Sequence, residues 1–167
     1  MLITVGGLPA HPLLVHAVVV LLPLAALGAL AVAVRPKWRR GGGTVVALLA
    51  LGGAVSAVLA WIAGNQLAEY LQAQGQDPGP ISAHGALGLN TVIAAWPFAV
   101  LAIITAVVAR RDPRPGRGAA TVATATTSTA TTVAAWLTVL AGIAACYFAV
   151  LAGDSGSRMV WGFITQS

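Results

Sequence analysis

Pro12–Val34, PLLVHAVVVLLPLAALGALAVAV, decides the fold. At about 1.5 Å of rise per residue it is long enough, as a helix, to cross a hydrocarbon core of about 30 Å, and it carries no charged residue. Three further stretches meet the same test: Thr44–Ala63, Ile81–Ala109 and a fourth that ends near Ala152. In lipid every backbone amide needs an internal partner, and single segments joined by short polar loops provide that only as helices. The sequence therefore predicts an all-α, integral membrane four-helix bundle. It forms a single transmembrane domain over residues 1–167, with helices at about 12–34, 44–66, 81–109 and 130–152.

Composition excludes the main alternatives. The chain is 58% hydrophobic and 8% charged, with a mean hydropathy of +0.88, whereas soluble domains carry about 25% charged residues. The net charge is +5. Eight of its nine basic residues gather in two inter-helix segments, Arg35, Lys37, Arg39 and Arg40, then Arg110, Arg111, Arg114 and Arg117, with Arg158 outside them. That distribution does not form one nucleic-acid-binding face, and no nucleic acid is expected as a partner. It does give a strong positive-inside signal, which puts both basic loops in the cytoplasm and both termini outside. Met1–Ala10 lacks the basic start of a secretory signal, so the first apolar run is expected to be retained as a span. Cys146, the single cysteine, rules out a disulfide within the chain and reads as a small buried apolar residue. The threonine-rich stretch Thr121–Thr132 leaves the fourth helix's point of entry open. Gln72–Pro80, rich in glycine and proline, reads as the outer loop between two hairpins.

The hairpins resemble each other. In each, a histidine early in the first helix (His16, His84) precedes a proline (Pro23, Pro97), a basic loop and a small-residue partner helix. Because both hairpins run in the same sense, a pseudo-twofold along the membrane normal is predicted, with the two histidine-bearing ends at one depth. Gly52, Ser56, Ala60 and Gly64, four residues apart, form a stripe on which a neighbouring helix can pack closely. Gly88, Thr91 and Ala95 share a face with His84 and leave room for a planar group. His11, just before Pro12, is expected at the interface.

An ionisable side chain within a span is costly and is by default a candidate for function. His16 and His84 on facing helices are enough to hold a six-coordinate b-type haem, with Gly88 beside the ring and Arg158 on a propionate. A transition-metal ion is the other expectation, with His11, His16, His84 and Asp154 as candidate donors and Asp154 also suited to orienting a histidine. No nucleophile–base pair, phosphate loop or acidic constellation supports an enzyme.

Gly7-Leu8-Pro9-Ala10-His11-Pro12-Leu13-Leu14-Val15-His16, the run His84–Asn90 and the tail Gly153–Gly162 resemble the predicted membrane proteins of domain-of-unknown-function family 2231. The resemblance covers nearly the whole chain and implies four helices in a prokaryotic cell membrane. Members of that family are sometimes joined to Rieske iron–sulfur domains, which implies electron transfer. By carry-over, His11, His16, His84 and Asn90 are the matching polar positions. Many relatives have histidine in the tail where this chain has Asp154 or Ser155, a departure that argues against a four-histidine or two-haem scheme here.

The combined expectation is a small membrane redox protein. It holds b-type haem, or else a metal ion, between histidines near the outer face and exchanges electrons with a partner. The alternative is a non-catalytic accessory or structural subunit with no cofactor, which packs through its small-residue faces against another membrane protein or a second copy, with its histidines satisfied by hydrogen bonds. An ion-transporting path is the weakest expectation, because no charged residue falls in the middle of a span.

Overall fold

A computed structural model of the chain describes residues 3–112 and 129–162. Four long helices follow one another: α1 (Ala10–Val34), α2 (Arg39–Ala73), α3 (Pro78–Arg111) and α4 (Thr129–Trp161). All four are long and apolar enough to cross a membrane. The residues Thr121–Ser128 of the threonine-rich stretch lie outside the described residues.

The helices outlast the hydrocarbon-crossing runs, and their ends explain why. Pro9 and Pro12 bracket the start of α1; a proline in the first turn gives up an amide that has no intrahelical partner anyway. His11 therefore lies on the helix, not ahead of it. Pro36–Trp38 forms one 3-10 turn, so α1 and α2 join in a tight corner. Asp77 caps α3 by accepting from the amide of Gly79 at 2.9 Å, as an N-cap carboxylate does. At the far end α4 runs through Gly153 to Trp161 in place of a tail. Before α1, Thr4–Val5 and Leu8–Pro9 pair antiparallel. Gly6 and Gly7 turn between them at φ of 58° and 81°, values that suit glycine in a two-residue hairpin. The hairpin is held by Ala10 N donating to Ile3 O at 2.9 Å and by Ile3 N donating to Gln66 Oε1 at 3.1 Å.

The helices pack in a ring, α1 on α2, α2 on α3, α3 on α4 and α4 back on α1, which sets α1 and α3 across the diagonal. Burial repeats between the two hairpins in register. Beyond its first turn, α1 buries Val18, Leu22, Ala25, Ala29, Val32 and Ala33. Residues 73 positions later, Thr91, Ala95, Phe98, Ala102, Thr105 and Ala106, are all buried in α3. The buried set of α4, Thr131, Ala135, Thr138, Val139, Gly142, Ala145 and Ala149, falls 92 positions after Arg39, Gly43, Val46, Ala47, Ala50, Gly53 and Ala57 of α2. Two helix pairs with the same inward faces, placed alternately around a ring, are what a twofold along the bundle axis produces.

Volume is redistributed between equivalent sites. A Cβ on Gly53 would come within 2.6 Å of Leu22 Cδ2, so Leu22 fills the space that glycine leaves; the matching pair in the second hairpin is Ala95 and Ala145. Conversely, Phe98 lies over Gly142, where a Cβ would meet the ring at 3.0 Å, and the first hairpin has Ala25 and Ala50 at those places. Close packing makes each exchange necessary. An axial cavity of about 10 Å³ remains between Ala29, Val32, Gly43, Val46, Ala102, Thr105, Ala135 and Thr138, four residues and their four equivalents. Beside it the hydroxyls of Thr105 and Thr138 are 2.9 Å apart and hydrogen-bonded.

The two ends of the bundle differ. At the basic end Arg39 is 3% exposed. Its guanidinium donates to the carbonyls of Val32 and Ala33 and to Thr132 Oγ1, closing the end of α1 onto α4. Arg40 donates to the Asp112 carbonyl, and Arg110 to Thr44 Oγ1 at 2.7 Å. Part of the basic signal is thus structural. The opposite end carries the histidines.

Candidate two-histidine site

His11 and His84 meet at the axis. They stand 73 positions apart, the same offset that relates α1 to α3, and their ring centroids are 5.9 Å apart with planes at 89°. Each ring rests on a glycine of the following helix. A Cβ on Gly64 of α2 would lie 2.9 Å from His11 Cε1, and a Cβ on Gly156 of α4 would lie 3.0 Å from His84 Cε1. The two glycines are again 92 positions apart. Without them α2 and α4 could not come close enough to hold the rings in place.

The hydrogen bonding of the pair follows the repeat with one difference. His11 Nδ1 lies 2.8 Å from the carbonyl oxygen of Ala60. A carbonyl only accepts, so Nδ1 carries a proton, and in the neutral ring the lone pair is then on Nε2. Ala152 is the equivalent of Ala60, yet the shielded Nδ1 of His84 has no hydrogen-bond partner of normal geometry among the described residues. A buried polar atom left without a partner is uncommon and asks for a reason.

His16, expected to oppose His84, is elsewhere. It is exposed on α1, where its Nδ1 donates to the carbonyl of Pro12 at 2.6 Å, one turn back on its own helix. Its equivalent by the repeat, Leu89, is exposed as well. Asn90 is also exposed. Gly88 does not open a slot, since the indole of Trp61 on α2 lies 3.6 Å from the position of a Cβ there; the planar group against that stripe is the protein's own. Asp154 is ion-paired with Arg158 at 2.7 Å on the exposed side of α4. The pair borders a groove of about 420 Å³ between α3 and α4, lined also by Leu87, Leu151 and Met159. No group of three or more His, Cys, Asp or Glu side chains comes together among the described residues.

Geometry separates the two candidate cofactors. Two metal–nitrogen bonds of about 2 Å, plus about 1 Å from each nitrogen to its ring centre, set the centroids of a ligating imidazole pair roughly 6 Å apart. The observed 5.9 Å is close to that separation, and it is also that of an ordinary edge-to-face contact between two rings. A haem held by two imidazoles would set the same ring separation, and would need in addition an open slot for the porphyrin between the rings. A single ion needs no such slot.

The sequence held a signal for the pairing. From His11 to Pro23 is 12 positions and from His84 to Pro97 is 13, whereas His16 stands only 7 before Pro23. Gly156 was hidden for a different reason, since only a helix that continues past Ala152 brings it over His84.

The family model described as "Predicted membrane protein (DUF2231)" matches residues 7–166, and the chain belongs to that family. Neither a search of curated proteins nor one of solved structures found a match.

Proposed function

We propose that this member of a membrane-protein family without an assigned activity holds one transition-metal ion between His11 and His84, and uses it to exchange single electrons with a partner at the membrane surface. The observation that carries the reading is the edge-to-face meeting of the two rings at the bundle axis, with their centroids 5.9 Å apart. Two further features support it. His11 already has the arrangement of a metal-bound histidine, with one ring nitrogen on a backbone carbonyl and the other free. Ligation by one nitrogen of His84, with the other settling on the Ala152 carbonyl, would give this ring what it lacks.

Imidazole suits copper, which heads the affinity order of the divalent first-row metals. The monovalent ion accepts two-coordination, and the one-electron step between the two oxidation states fits an electron carrier. Positions beyond the two nitrogens are left for water or a partner's side chain.

The test is metal titration of the purified full chain. Wild-type protein and His16→Ala should take up one equivalent of copper per chain, and His11→Ala and His84→Ala should retain none after desalting. Retention unchanged in all three variants overturns the two-histidine site. A chain that takes up no metal at all favours the accessory-subunit reading.

A further inference from the structure

We infer that the corner between α1 and α2 is a binding site for the phosphate of an anionic phospholipid, formed by Arg35, Lys37 and Trp38. The chain has four acidic residues, Glu69, Asp77, Asp112 and Asp154, and only Asp112 belongs to the basic end. Along the sequence, eight of the nine arginine and lysine residues belong to the two segments at that end, against one carboxylate. Arg39, Arg40 and Arg110 are directed into the fold by their hydrogen bonds. Arg35 and Lys37 are exposed and make no ion pair among the described residues.

The corner presents this charge in a fixed form. The amide of Arg35 donates to Ala31 O at 3.1 Å and the amide of Trp38 to Arg35 O at 2.9 Å, and Pro36 restricts the turn between them. The Arg35 guanidinium lies 4.7 Å over the Trp38 ring. A guanidinium held over a ring by its face keeps its edge of N–H donors for other partners, the edge that matches two oxygens of a phosphate. Lys37 adds a compact second charge next to it. Trp38, 44% exposed, is the residue type that settles at headgroup depth. The phosphodiester of a lipid headgroup is the anion present at that depth at high local concentration, and nearby basic residues add to the attraction.

The experiment uses the full chain in nanodiscs of phosphatidylcholine with part of the lipid replaced by phosphatidylglycerol, and native mass spectrometry to read which lipid stays bound. Wild-type protein should retain phosphatidylglycerol preferentially. That preference should fall about fivefold in Arg35→Ala and in Lys37→Ala, the equivalent of about 1 kcal/mol each. It should fall less in Arg35→Lys, which keeps the charge and loses the fork, and remain in Arg158→Ala at the other end. Equal retention of the two lipids by wild type, or full preference in Arg35→Ala, overturns the site. Displacement of the lipid by inorganic phosphate at millimolar concentration would mean a small-anion site and overturn the lipid assignment.

Discussion

The first hairpin and the second bury the same positions with different residues. Where α1 and α2 set Leu22 over Gly53, the second hairpin has Ala95 and Ala145; where α3 and α4 set Phe98 over Gly142, the first has Ala25 and Ala50. The core thus tolerates exchange as long as local volume is kept. At the two axial rings and the groups they rest on, no exchange has occurred. His11 and His84, Ala60 and Ala152, and Gly64 and Gly156 are the same residue types at equivalent places. At the basic end the halves part company: Arg39 corresponds to Thr131. The comparison separates positions that need only fill space from a set that needs particular chemistry.

Adding a methyl group tests that separation most sharply at the glycines under the rings. Gly64→Ala and Gly156→Ala should each push a histidine off the axis and weaken copper retention, by about the 10–100-fold typical of disturbing a ligand's support. Gly153→Ala, where a Cβ meets nothing within 4 Å, should leave retention unchanged. Equal losses at all three glycines would indicate general destabilisation instead of a site.

Replacing Arg39 should produce the largest change in stability. Its guanidinium satisfies two carbonyls at the end of α1 and a hydroxyl on α4, and hydrogen bonds from charged donors contribute about 1.5–3 kcal/mol each before desolvation is subtracted. Arg39→Ala should therefore lower stability in detergent by about 3 kcal/mol, against about 1 kcal/mol for Thr131→Ala, measured as the shift in thermal unfolding. Similar shifts would erase the distinction between the halves at this end.

Overpacking comes next in size. Gly53→Ala drives a Cβ toward Leu22 and should cost about 1–3 kcal/mol. The double variant Leu22→Ala/Gly53→Ala installs the pairing of the second hairpin and should recover part of that loss. A double variant less stable than the sum of its single changes would mean that the hairpins are not equivalent. The smallest effect belongs to Arg158→Ala, which removes an exposed ion pair and should leave the thermal unfolding midpoint essentially unchanged.

The bundle was legible in the sequence because lipid leaves helices little competition, and hydropathy marks them directly. The repeat was visible as an order of features but not as a register, since the loops between equivalent helices differ in length. Gly52, Ser56, Ala60 and Gly64 were readable as a packing surface, and Gly52 and Gly64 do face Leu21 and His11 of α1. The site was half legible. Depth singled out His16 and His84, but the choice between His11 and His16 turned on where α1 begins, and helix starts are set by local turn chemistry that hydropathy does not register. Pro12 reads equally well as a residue ahead of a helix and as part of its first turn. The hairpin at Thr4–Pro9 was missed because two-residue strands carry no periodic signal.

X-ray absorption at the copper edge of loaded His16→Ala protein tests the central claim most directly. The account predicts one ion per chain with two imidazole nitrogens at about 2 Å, and loss of that signal in the His11→Ala/His84→Ala double variant. An ion coordinated without imidazole, or one whose spectrum is the same in the double variant, would contradict the claim that the repeat brings His11 and His84 together as a metal site.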